Sequence, residues 1–332
     1  MDTSSSSSYI YIELIMADYK AIHGKNIQHL ASDLDSAEGE GQIWFNTTTS
    51  DYKTIVKVAG AWATGGNMNT ARFGGGGCGT QTATLAFGSN PATANTEKYD
   101  GSSWTEVNDL NTSRGYFSGF GTQTAGAAVG GPPAQDITEE FDGTNWTESG
   151  DLNNGRGYSS SAGTQTAGIN FMGHDGSARA YTETYNGSTW TEVNDLNAAG
   201  YTTAGFGTQT SAICAAGNRG GNSADVESWD GSSWTEVGNV NTARDQLSGA
   251  GASNTSGMVY GGLSSPPATN RNETESWDGT SWTEVANLST ARYYGIAGSM
   301  GTSVLAIMAG GTGDTDATEE WTQLQNIKTI AD

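Results

Sequence analysis

The sequence predicts an all-β fold: a six-bladed propeller with four-stranded blades, closed by an N-terminal outer strand and preceded by a short arm. Three observations predict it. A tryptophan recurs at Trp62, Trp104, Trp146, Trp190, Trp234 and Trp282, giving a unit of 42 to 48 residues, a period that suits four-stranded blades around an axis. Each unit closes on an aromatic residue, at Tyr99, Phe141, Tyr185, Trp229, Trp277 and Trp321. Glycine supplies 48 of 332 residues and apolar residues only 35%, a composition for short strands and tight turns that leaves little for helices.

In chain order the reading gives an arm over residues 1–40, a hairpin over 41–57 and the propeller over 58–332. Residues 1–15 are read as an unstructured extension: they lack the basic start of a secretion signal, Glu13 interrupts their apolar stretch, and Met16 offers a start of its own. The hairpin rests on alternation in Ile43–Phe45 and Tyr52–Val58 about the polar run Asn46–Ser50. Within a blade, GYFSGFGTQTAGAAVGG reads as two small-residue strands and ITEEFDGTNWTES as two polar-aromatic strands. The small-residue pair belongs near the axis, where six sheets converge and bulky side chains do not fit.

Asp100-Gly101, Asp142-Gly143, Asn186-Gly187, Asp230-Gly231 and Asp278-Gly279 fill the outer hairpin turn, where positive φ is easy for Gly and tolerable for Asn or Asp. The Trp after each turn has the area to cover the neighbouring blade and is assigned as the main inter-blade contact. Arg72, Arg114, Arg156, Arg244 and Arg292 recur four residues after an apolar position, with Gly200 at the remaining place; repetition argues that they bond carbonyls between blades rather than bind a ligand. No Trp-like strand follows Trp321. The spare outer strand is the one at Trp62, which is expected to pair beside Trp321 and remove a free edge.

Charge and composition narrow the function classes. With 36 acidic against 14 basic residues the net charge is −22, which repels nucleic acid and anionic membranes and suits a solvated acidic surface. No apolar run is long enough to span a bilayer. Cys78 and Cys214 fall on opposite sides of the ring, so no disulfide is expected between them.

The order Arg, Gly-Gly (Gly130-Gly131, Gly261-Gly262, Gly310-Gly311), aromatic-Asp-Gly and Trp resembles the kelch repeat over about four fifths of the chain. Three blades keep a single Gly of the pair and one lacks the Arg, so the array is a divergent one. A narrower resemblance lies in ADYKAIHGKNIQHL, the following GEGQIWFNTTTSDYKTIVKVAGAW and the Gly-Thr-Gln-Thr turns. These are similar to the N-termini of kelch-like virion proteins of tailed bacteriophages, marine ones particularly. That likeness implies an appendage or tail-fibre-like protein located in the virion. It also implies that the arm docks to other virion proteins, and the fibre analogy adds a homo-oligomer formed through the arm.

Chemistry is sparse. His23 and His29 lie in the arm and His174 alone in the blades, so neither a copper or zinc site nor any cofactor is expected. Asp314 and Asp316 lack the spacing of a calcium loop. The Gly74–Gly77 run has no Lys-Ser/Thr after it and is no phosphate loop. Recognition is instead placed on loops of varied length after the Gly pairs, on the face that also carries the Arg-bearing connections. Nearby Tyr116, Tyr158, Tyr201 and Tyr293 are the candidates for stacking on sugar rings, the alternative being that they fill gaps between blades. The expected function is a non-enzymatic virion protein for adhesion to a host-surface glycan. A bacterial extracellular carbohydrate-binding lectin-like propeller is the alternative, and a glycan hydrolase or lyase the third.

Overall fold

The computed structural model describes residues 27–34, 42–313 and 315–330, and no helix occurs among them. The expectations for residues 1–15, for His23 and for Asp314 lie outside the described residues. Contacts divide the chain into two compact units, Met1–Val58 with Leu324–Asp332, and Ala59–Gln323.

In the first unit the expected hairpin pairs Ile43–Asn46 with Asp51–Lys57. Two strands absent from the sequence reading extend it: Gln28–Leu30, parallel to Ile43–Asn46, and Gln325–Ile330, antiparallel to Asp51–Lys57. The reading gave Gln325–Ile330 to the propeller; instead its alternation lies opposite that of the hairpin, with Ile55 facing Ile327. Asp33 pins the other edge, its Oδ1 accepting from Trp44 Nε1 at 3.3 Å and Asn46 Nδ2 at 2.6 Å.

The second unit is a propeller-like stack of antiparallel sheets, six of four strands and one small hairpin among the described residues. The first sheet begins with Gly76–Thr80, the second with Ser118–Thr122, the third with Ser160–Thr164, the fourth with Ala204–Thr208, the fifth with Ser248–Ser253 and the sixth with Ile296–Ala297. These small-residue strands pack against one another in that order, and Ile296–Ala297 also meets Gly76–Thr80. The approach is close: a Cβ on Gly77 would stand 2.4 Å from Ile296 Cγ2, and one on Gly119 2.5 Å from the Phe87 ring. Ala61–Thr64 supplies the fourth strand of the sixth sheet, with Trp62 opposite Trp321.

The turns follow the sequence reading in detail. Gly101, Gly143, Gly187, Gly231 and Gly279 have φ between +90° and +97°. Asp100 Oδ1 caps its turn by accepting from the Ser102 and Ser103 amides at 2.9 and 2.8 Å. These bonds, that from Ser103 foremost, hold the Asp100 carboxyl at about 2. The Gly-Thr-Gln-Thr turns share that face, since Gly101 lies against Thr82 and Gly143 against Thr124.

Each Trp reaches the preceding sheet, as expected. Trp104 Nε1 donates to Thr318 Oγ1, Trp146 to Thr96, Trp190 to Thr138, Trp234 to Thr182 and Trp62 to Thr274. Val226 replaces the threonine before Trp282, and that indole donates to Gly238 O instead. A second clamp was invisible in the sequence: Gln123 Nε2 donates to the Thr84 and Tyr99 carbonyls of the preceding sheet, Gln165 to Gly126 and Phe141, Gln209 to Gly168 and Tyr185, and Gln81 to Trp321.

The arginines do meet carbonyls, but their main partner is a carboxylate the reading had placed at the surface. Arg72 pairs with Glu97, Arg114 with Glu139, Arg156 with Glu183, Arg244 with Glu275 and Arg292 with Glu319, all buried. Backbone amides join each arginine; Glu97 also accepts from the Asn69 amide and side chain and from the Thr70 amide, and Glu319 from the Ser289 amide. In the fourth sheet, where Gly200 takes the Arg position, Arg219 enters from the loop between second and third strands and meets Glu227 at 2.7 Å. A Cβ on Gly200 would stand 3.0 Å from Arg219 Cγ, so the glycine leaves room for the substitute.

Arg219→Ala leaves Glu227 buried without its cation and is expected to destabilise the protein by about 3–5 kcal/mol. Arg179→Ala, whose partner Asp175 sits at the surface, is expected to cost less than about 1 kcal/mol. Urea unfolding midpoints at constant slope check both.

Candidate functional site

Two residues after each Arg position, and after Gly200, stand Gly74, Tyr116, Tyr158, Thr202, Gln246 and Tyr294. All six are left-handed, with φ between +53° and +65°. The turn points each amide toward one neighbour and each carbonyl toward the other. The result is an unbroken circle: Tyr116 N donates to Gly74 O, Tyr158 to Tyr116, Thr202 to Tyr158, Gln246 to Thr202, Tyr294 to Gln246 and Gly74 to Tyr294, at 2.5–3.0 Å.

This circle lines the mouth of an axial cavity. The outer part, about 90 Å³, is bounded by the six ring residues with Phe117 and Leu247 among others. It shares Gly75, Ser159 and Thr203 with a second part of about 120 Å³ lined by residues of all six first strands, chiefly glycines and serines. Of the lining residues, Ser118 and Ser159 accept from Asn170 Nδ2 at 2.8 and 2.9 Å. The space is polar and is large enough for only a few waters.

One side of the mouth is aromatic. Tyr116 stacks on Tyr158 with centroids 4.9 Å apart at 27°, and Tyr294 lies 4.9 Å from Tyr116. Asn90 Nδ2 donates to the Tyr116 hydroxyl at 2.8 Å. Burial raises the pKa of Tyr116, Tyr158 and, most strongly, Tyr294, so these hydroxyls remain proton donors at neutral pH. The opposite side is polar, with Thr202 and Gln246.

Of the four tyrosines singled out in the sequence, Tyr116 and Tyr158 line the cavity and Tyr201 and Tyr293 do not. Tyr201 packs on His174 at 5.1 Å, outside the ring, and Tyr293 lies 5.6 Å from Tyr294. The correction is one of register: the ring position is two residues after the Arg, which selects Tyr294 and Thr202. That spacing was present in the sequence but had no meaning until the left-handed turn gave it one. His174, read as a solvent-exposed loop residue, stands beside Tyr158 and Tyr201, its Nδ1 accepting from Gly176 N at 3.2 Å.

Gly74→Ala places a Cβ 2.7 Å from the Tyr116 ring in a left-handed conformation, and is expected to lose about 1–2 kcal/mol or more. Thr202→Gly relieves a β-branched residue of the same strain against the loss of its Oγ1 bond to Tyr201 O and a gain in unfolded-chain entropy. It is expected to stay within about 0.5 kcal/mol of the parent or exceed it. Denaturant unfolding of the two variants checks this contrast.

No family model and no curated protein matches the chain. Among solved structures it is similar to one described as "Structure of YjhT", with a TM-score of 0.61 and 11% identity over 78% of this chain and 99% of that one. At that identity the likeness is one of fold alone.

Proposed function

We propose that the six sheets are the blades of a closed, kelch-like propeller, with Ala61–Thr64 as the outer strand of the last blade. On this reading the chain is a non-enzymatic phage virion appendage of tail-fibre type. It binds a host-surface glycan at the tyrosine-lined mouth and docks to other virion proteins, or to sister chains, through its N-terminal arm. The circle of amide bonds and the bond from Gln81 to Trp321 O support closure. The virion role rests on the likeness of the N-terminal segments and turns to such proteins.

One observation carries the binding role. Five of the six ring residues keep a side chain in a left-handed conformation, at about 1–2 kcal/mol each, where Gly74 shows that glycine serves the backbone equally well. Strain kept at one place in five repeats marks a position held for its side chains. Three of the five are tyrosines, which offer flat apolar faces and polar tips to a sugar ring.

Tyr158→Ala and Tyr294→Ala are expected to weaken binding to host cells or their isolated surface glycan roughly 2- to 10-fold each, and Tyr293→Ala to leave it unchanged. Equal binding by all three variants would remove the mouth from consideration. Deleting residues 1–40 is expected to abolish co-purification with the phage particle while sugar binding persists. Retained particle association, or turnover of the glycan, would overturn the corresponding half of the proposal.

A further inference from the structure

In the third and fourth sheets the loop between second and third strands is built to one plan. His174 exchanges two backbone bonds with Gly157, and Asn218 exchanges two with Tyr201. Each loop is then tied across its base, by Arg179 N to Gly173 O and by Ser223 N to Gly217 O, both at 2.9 Å. In each, a side chain caps the turn two residues on: Gly220 N donates to Asn218 Oδ1 at 3.1 Å and Gly176 N to His174 Nδ1 at 3.2 Å. Only the chemistry of the cap differs.

An amide oxygen accepts at any ordinary pH. A ring nitrogen accepts only while it carries no proton, and a backbone N–H can only donate, so the bond from Gly176 requires a bare Nδ1 with the neutral ring's proton on Nε2. Imidazolium carries a donor on both nitrogens, and histidine is the side chain that changes charge between about pH 5 and 8. Protonated, the His174 ring sets N–H against N–H at Gly176 and has to turn away. Nothing that surrounds it restores the cap. Tyr158 and Tyr201 pack around the ring with centroids at 6.4 and 5.1 Å. The adjacent carboxylate, Asp175, is engaged through both oxygens by Arg179 Nε at 2.9 Å, which holds its pKa below the usual range. Arg156, which lies against Gly173, is paired with Glu183.

We propose that His174 is a proton-sensitive cap: neutral, it fastens loop 173–179 beside the ring residue Tyr158, and protonated, it releases the turn at Gly176. The switch stands apart from the glycan reading and needs no ligand. Amide hydrogen exchange, followed by NMR from pH 7.5 to pH 5 and scaled to the intrinsic rate at each pH, compares Gly176 with Gly220 in the same molecule. Protection at Gly176 is expected to fall about 2- to 10-fold toward pH 5, the worth of one hydrogen bond, while protection at Gly220 stays constant. His174→Asn copies the cap of the other loop and is expected to keep Gly176 protected across the whole range. Equal protection of Gly176 at pH 7.5 and pH 5, a fall that Gly220 shares, or a fall that persists in His174→Asn overturns the switch. The comparison of the two glycines in the wild type decides even where His174→Asn does not fold.

Discussion

The position of every side chain at the mouth depends on a glutamate buried in the third strand of each sheet. The connection entering that sheet lays its arginine and neighbouring amides onto the carboxylate, while the arginine's own carbonyl accepts from the sheet before, as Arg156 O does from Gly131 N. One residue thus staples two sheets. Buried ion pairs are weak contributors to stability when measured against apolar replacements, so their effect here is better sought in geometry. A buried carboxylate that receives a guanidinium and backbone amides together constrains where those donors can lie, and that arrangement sets the backbone two residues further on. Arg219 shows that the constraint belongs to the glutamate rather than to the connection, because Glu227 is served from another loop when the usual position is vacant.

The amide circle follows from this constraint. Six connections held at the same height present six peptide groups at a distance where only neighbours can satisfy them, and the left-handed conformation is what turns donor and acceptor in opposite directions. A hydrogen bond of about 1 kcal/mol roughly offsets the strain of about 1–2 kcal/mol at each non-glycine member. The backbone circle is therefore close to neutral in energy. What it provides is a rigid frame on which side chains can be exchanged without altering the fold, which is the condition for recognition on a repeat scaffold.

Features that act within a few residues were legible in the sequence. The Asp-Gly turns announce themselves because glycine's positive φ and the Asp cap need no distant partner. The pairing of Trp62 beside Trp321 could be read because strand counting is arithmetic. Features defined by a partner in the next sheet were hidden: Gln123 looks like a turn residue and Glu97 like a surface acid until the carbonyl and guanidinium they meet are known. The mouth was half legible. Tyr116 and Tyr158 stood out by type, but Tyr201 and Tyr293 were chosen by proximity to the repeat rather than by register.

The departures from the repeat carry the remaining argument. Gly200 for Arg, Val226 for Thr, Thr202 and Gln246 for Tyr, and Asp245 for an aromatic or glycine all lie between residues 200 and 246, around the fourth and fifth sheets. Elsewhere the arginine and threonine places do not vary, and the tyrosine place varies once, at Gly74. A ring of identical blades would present identical side chains to its axis and could not orient a ligand that lacks the same symmetry. Concentrating the substitutions in one sector leaves the staples intact, through Arg219 and through the bond from Trp282 to Gly238, while giving the mouth an aromatic side and a polar side. Asymmetry at the axis thus requires compensation in the body of the same sheets, which is why the irregular connection and the irregular mouth occur together.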